Sequence, residues 1–176
     1  NGLSHLYEHM FFKANRATKD REEYIQSIDQ LGIVYNGQTH EELVNYYFTT
    51  TTPNFGVAMR FMRDAVRYPL FDERQFEQER EVVIGELDRH ESNPFGFLSL
   101  ELNNRLFYKY PSRKNPGGNR QTVRAATTDM MRLIQGRYYV PNNSAVVVTG
   151  DVKADEVFQL VNDFFGDWPR REKDPF

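Results

Sequence analysis

His5-Leu6-Tyr7-Glu8-His9-Met10-Phe11-Phe12-Lys13 stands near the start of the chain, and its spacing governs how the rest is read. In a helix, residues i and i+4 share one face about one turn apart, and i+3 borders that face. His5 and His9 have the i, i+4 relation, and Glu8 follows His5 by three. Two imidazoles so placed can share one tetrahedral ion. The carboxylate of Glu8 is then close enough to hold a water on that ion without ligating it. The order H-x-x-E-H reverses the commoner H-E-x-x-H. Zinc would lower the pKa of such a water to about 7, and a neighbouring carboxylate could take its proton.

A catalytic zinc needs a third protein ligand and an open fourth position. The sequence has no Cys and 4 His, so an Asp, a Glu or a third His must serve. A long helical stretch, opened by Asp72 and running to about Glu91, offers candidates. Its apolar stripe is Phe76, Val83 and Leu87, with Val82 beside it, and Glu79 and Glu86 fall on the same stripe. A carboxylate on a core-facing stripe is costly unless something positive meets it, and a metal ion is such a partner. Glu77, Glu81 and Asp88 lie toward solvent. Blander readings stand beside this one. An isolated His-x-x-x-His pair is more often solvated or satisfied within a core. Glu86 and His90 also have ligand spacing, but His90 reads as a cation favoured by a helix C-terminus. His40 reads as a solvated loop residue.

Bulk properties narrow the function classes. The 176 residues, 39% hydrophobic and 27% charged, fit a globular domain with a sizeable aromatic core. A net charge of −3 gives no electrostatic case for nucleic acid or an anionic membrane surface. No apolar run approaches the roughly 20 residues that span a bilayer. The lack of cysteine removes disulfides, Cys-ligated zinc and Cys nucleophiles together. The sequence opens at Asn1-Gly2 without Met, which reads as a fragment. Compartment stays open, with a weak lean to a bacterial protein.

Helices and strands mix along the chain. Ser4 is expected to cap a first helix reaching about Ala14, and Asp20 a second ending at Gly32. Residues 33–39 and 43–51 are rich in β-branched and aromatic types and read as a strand pair. Thr52-Pro53 starts a helix with an apolar stripe of Phe55, Met59, Met62 and Val66, stopped at Tyr68-Pro69. Further helices are expected near 94–108, 127–138 and 154–165, the last ended by Gly166. Residues 110–121 read as a loop and Ala145–Val148 as a short buried strand. The mixture is an α+β arrangement, with antiparallel pairing at 33–51.

The segment His5–Lys13 resembles the signature of the family of pitrilysin, insulin-degrading enzyme and mitochondrial processing peptidase, the inverted-motif zinc peptidases called M16. That family's third ligand is a glutamate 77 residues beyond its second histidine, which from His9 lands on Glu86. A supporting glutamate seven residues earlier matches Glu79, and Glu79-Arg-Glu-Val-Val-Ile-Gly-Glu86 follows the family's helix. Asn36-Gly37-Gln38-Thr39 resembles its N-A-x-T segment, an edge strand that pairs with extended substrate. Val123–Thr127, Tyr138–Asn142 and Val146–Asp151 resemble later segments, so the likeness covers nearly the whole chain.

The resemblance implies a LuxS/MPP-like metallohydrolase domain of α+β class, a mostly antiparallel sheet backed by helices. It implies one zinc ion held by His5, His9 and Glu86, with Glu8 as general base, Glu79 as its supporting carboxylate, and Asn36, Gly37, Gln38 and Thr39 on the peptide. It implies a catalytic domain over 1–167, an upstream strand missing, and at 168–176 the start of a linker toward an absent homologous second half. Gly37 replaces the usual Ala and Val44 a common Thr, changes expected to touch substrate fit and not metal chemistry. Two rivals are a silent peptide-binding or scaffold subunit and a non-peptidase metallohydrolase like the quorum-signal lyases. Silent subunits usually lose motif residues, which are all present here, and the lyases lean on a cysteine.

Overall fold

The structure, a computed structural model, describes residues 2–19, 21–110 and 115–172. The Asp20 cap, residues 111–114 of the expected loop and 173–176 of the expected linker lie outside them. The described chain is mostly helical with one two-stranded antiparallel sheet, an α+β arrangement as expected. Its residues divide into two compact units, 1–12, 36–47 and 71–131 in the first and 13–35, 48–70 and 132–176 in the second. No helix among the described residues is long and apolar enough to cross a membrane.

The first unit is built on α1 (Leu3–Phe11) and α4 (Glu73–Ser92), which pack on each other. In α1, Leu6, Tyr7, Met10 and Phe11 are buried, so His5, Glu8 and His9 occupy the opposite, half-buried face. Burying those four apolar side chains contributes about 1.5–3 kcal/mol each, which orients the helix. Gly2, not Ser4, stands at the α1 N-cap, and no side chain caps it. The reason is geometric. Gly2 has φ 91°, and a Cβ there would sit 2.8 Å from the carbonyl oxygen of Gly117, so only glycine fits.

Asp72 caps α4 by accepting a bond from the Gln75 amide at 2.9 Å, as the sequence indicates. Phe76, Glu79, Val83, Ile84 and Leu87 form its buried stripe. Val82 is 47% exposed, and Ile84 takes the place expected for it. Two further helices pack on α4: α5 (Pro94–Leu106), capped by Asn93, and the short α6 (Arg120–Arg124). The sequence reading made 110–121 a loop. A capping box between Asn119 and Thr122 starts α6 within it, and Arg120 ties it to α4 through Asp88 and Glu91.

In the second unit, α2 (Arg21–Gln30) ends at Gly32. There the amides of Gly32 and Ile33 bond back to the carbonyls of Asp29 and Ile28. Tyr24, Phe61 and Phe48 pack with tilted rings, at centroid separations of 4.8 and 5.4 Å. A 3₁₀ turn at Thr52–Asn54 leads into α3 (Phe55–Arg67). Its buried stripe is Ala58, Met59, Phe61 and Ala65 rather than the expected Phe55, Met59, Met62 and Val66. Asp64 is buried on the same side, where Arg63 pairs with it. After α7 (Thr128–Tyr138), α8 (Ala154–Phe165) packs on α3 and ends at Gly166.

The expected strand at Ala145–Val148 is not one. The stretch has no strand partner among the described residues, and Val147 is 82% exposed. β-branched residues favour an extended backbone, but a strand exists only where another backbone completes its hydrogen bonds.

Strands β1 (Val34–Thr39) and β2 (Val44–Thr49) contribute residues to both units. β1 has β2 on one edge and no other strand on its second edge among the described residues.

Candidate metal centre

Because α1 buries its Leu6/Tyr7/Met10/Phe11 face, His5 and His9 are turned toward the α4 stripe. The Nε2 atom of His5 lies 3.5 Å from Oε2 of Glu86, and Nε2 of His9 lies 3.5 Å from the same oxygen. One possible ligand atom from each of the three residues falls within 4.8 Å of the others. Two atoms that each stand roughly 2.0–2.2 Å from a tetrahedral zinc lie about 3.3–3.6 Å apart, so the spacing fits a shared ion. The imidazole rings meet edge to face at 87°, which lets both nitrogens aim at one point without stacking.

The surroundings also call for a cation. Glu79 is buried on the α4 stripe, and its Oε2 bonds Nδ1 of His9 at 3.0 Å. That bond fixes the ring and leaves Nε2 facing Glu86. Burial works against the charged form of His9, but the Glu79 hydrogen bond and the nearby carboxylates of Glu86, Glu79 and Glu8 outweigh it and raise its pKa. His5 goes the other way. Burial, then the proximity of His9, lower its pKa against the pull of Glu8 and Glu86. Three carboxylates around two imidazoles leave an excess of negative charge that a divalent cation would neutralise.

Glu8 does not join the three-atom cluster. Its Oε2 accepts a hydrogen bond from the Thr39 hydroxyl at 2.6 Å, so it stands beside the cluster and against β1. Gly37 is the β1 residue that packs on it. A Cβ at Gly37 would lie 2.8 Å from Cγ and 2.9 Å from Oε1 of Glu8. The glycine expected to affect substrate fit alone therefore bears directly on Glu8. Asn36 and Gln38 are exposed along the free edge of β1, and Oδ1 of Asn36 accepts from the Gly37 amide at 2.9 Å. His40 is exposed in the turn after β1. His90 is exposed in the last turn of α4 and is not among the clustered ligands. An open groove runs from Glu86 past His90 to Asn93 and Phe95. The link from Thr39 to Glu8 escaped the sequence reading, because a contact between a strand and a helix 31 residues away has no local signal.

With the geometry in place, comparison with known proteins is direct. Residues 1–114 match the family model described as Insulinase (Peptidase family M16). The chain belongs to peptidase family M16. His5, Glu8, His9, Glu79 and Glu86 all lie within the matched segment, and residues 125–176 match the model described as Peptidase M16 inactive domain. Among M16 relatives, the chain is 27% identical over 98% of its length to an uncharacterized zinc protease, YmxG, of Bacillus subtilis. It is 26% identical over 94% of its length to the zinc protease PqqE of Helicobacter pylori. It spans 42% and 37% of those two relatives, about two fifths of their length.

The crystal structure of a protease from Helicobacter pylori superposes with a TM-score of 0.89 over 99% of this chain, at 24% identity, and covers 42% of that protein. Pitrilysin superposes at 0.84 over 99% of this chain, at 22% identity, with 19% of its own chain covered. At these identities the likeness establishes a shared fold, which is the M16 protease fold.

Proposed function

We propose that this chain carries the zinc site and the catalytic base of a metallopeptidase that hydrolyses peptides or small proteins. The observation that carries the reading is the convergence of His5, His9 and Glu86 from two helices distant in sequence. Relatives named zinc proteases support it. His5, His9 and Glu86 would hold one zinc ion. Zinc held there supplies Lewis acidity, polarising a scissile carbonyl and lowering the pKa of a water to about 7.

The chain's own residues do the rest. Glu8 accepts a proton at its carboxylate and returns it to the leaving amine. Glu79 holds the His9 ring through Nδ1. The free edge of β1 at Asn36–Thr39 offers backbone groups to an extended peptide, which adds as a strand. A homologous second half or subunit completes the substrate chamber. The relatives are more than twice as long as this chain, and α5 leaves Phe95 81%, Leu98 61% and Leu106 62% exposed, an apolar face suited to a partner.

Two measurements follow. Calorimetric titration is expected to find one zinc per chain, and the loaded chain, assayed with and without a candidate partner half, to cleave peptides. The titration also reads protons. His9 has a raised pKa in the metal-free protein, and zinc needs its nitrogen deprotonated, so binding releases the His9 proton at pH below that raised pKa. The His9 contribution to folding runs with the same sign. It is fully present below the usual imidazole pKa and fades as pH rises through the elevated one. Absence of proton release at pH below the usual imidazole pKa, measured in buffers of different ionisation enthalpy, would contradict this.

Replacing Glu79 with Gln is expected to weaken zinc binding about 10–100-fold, because the His9 ring loses a charged partner. Competition with a chromophoric chelator checks it, and unchanged affinity would remove Glu79 from the site.

A further inference from the structure

We propose that Thr39 and Gly37 are positioning residues for Glu8, so that the strand offered to peptide also sets the base. The inference rests on the metallopeptidase reading above and goes beyond it by assigning what aims the carboxylate. Three observations carry it. First, an ionised carboxylate has no proton to give, so the Thr39 hydroxyl must be the donor, and 2.6 Å is the length of a charge-assisted O–H···O⁻ bond. Second, residue 37 carries no side chain where Glu8 approaches the backbone of β1. A Cβ there would meet Glu8 at 2.8 and 2.9 Å and the Phe12 ring at 3.0 Å. Third, Glu8 is one of the three chemistry-bearing residues on its face of α1, and the other two face Glu86.

The consequence is a mechanical one. Residues 36–39 have a free edge for a peptide backbone, while the side-chain positions of 37 and 39 are turned to Glu8. The Thr39 hydroxyl is therefore spent within the protein, and what this residue offers the peptide is backbone. A peptide paired in register with β1 is thereby in register with the carboxylate as well. Such preorganisation acts on the chemical step more than on peptide affinity.

The test compares the zinc-loaded wild-type chain with Thr39→Val, Thr39→Ser and Gly37→Ala, each assayed together with its partner half, measuring zinc content, kcat and KM, and solving the structure of each variant. Thr39→Val preserves shape and removes the donor. It is expected to lower kcat roughly ten- to a hundredfold, the range for a hydrogen bond to a charged group, with KM and zinc content unchanged. Thr39→Ser keeps the hydroxyl and is expected to restore kcat. Crystal structures of Thr39→Val and Gly37→Ala are expected to show the Glu8 carboxylate moved off β1. Unmoved Glu8 in both variants, wild-type kcat in Thr39→Val, or a change confined to KM would overturn the assignment. A wild-type chain that neither binds zinc nor cleaves peptide would instead remove the underlying reading, and the position of Glu8 in the variant structures still decides this one.

Discussion

Glu8→Gln is expected to cut turnover by about 100- to 10,000-fold, the range over which a positioned general acid–base group contributes. Zinc content should be unchanged, because Glu8 lies outside the group of three clustered ligand atoms. Glutamine keeps the side-chain length, so the packing against Gly37 and an oxygen for the Thr39 hydroxyl both survive. What disappears is the ability to take a proton. The measurement is kcat/KM on a peptide alongside elemental analysis for zinc. Full activity with zinc bound would end the assignment of Glu8 as base. Loss of zinc along with activity would make Glu8 a ligand instead.

Phe76→Ala is expected to be the most destabilising of the simple truncations on α4. Phe76 is 1% exposed in the first turn of the helix that carries both Glu79 and Glu86. Removing a buried phenyl ring costs about 3–5 kcal/mol through lost transfer energy and the cavity left behind. Against a typical total of about 5–15 kcal/mol, that is a large share. For a chain of this size it corresponds to a Tm lower by about 6–20 °C. Thermal or denaturant unfolding of the metal-free protein reads it directly. A shift equivalent to less than about 1 kcal/mol would mean that α4 is not anchored there. Saturating zinc should raise the midpoint of wild type and variant alike, because the ion binds the native arrangement and not the unfolded chain.

The two predictions differ in how far they could be read from the sequence. Phe76 was legible as core, since it shares a stripe with Val83 and Leu87 at helical spacing. Its neighbour on the stripe was harder. Val82 and Ile84 are equally apolar, and periodicity alone did not say that Ile84 is buried and Val82 exposed. The run at Ala145–Val148 failed for a related reason. Its composition specified an extended backbone, but pairing depends on a partner that local sequence does not contain. The N-terminus of α1 failed in a third way. Ser4 is a good cap by type, but the close approach of Gly117 demanded a glycine at the cap and moved the helix start to it.

The candidate site divides along the same line. The sequence by itself determined the candidate ligand types and their grouping. The i, i+3, i+4 spacing puts His5, Glu8 and His9 on one helical face, and the α4 stripe leaves two carboxylates where a cation is wanted. Those are short-range facts, set by helical periodicity and by the cost of burying charge. The family resemblance implied a role for each glutamate, but helical periodicity did not tell Glu79 from Glu86; tertiary structure sets them apart. It brought Glu86 to 3.5 Å from both Nε2 atoms, spent Glu79 on the back of the His9 ring, and set Glu8 against Thr39 and Gly37 of β1. Glu79 and Glu86 are separated by two helical turns on one stripe, and their sequence positions alone are nearly equivalent. The packing of α1 on α4 breaks that equivalence, because the register between two helices is fixed by buried side chains along their whole contact.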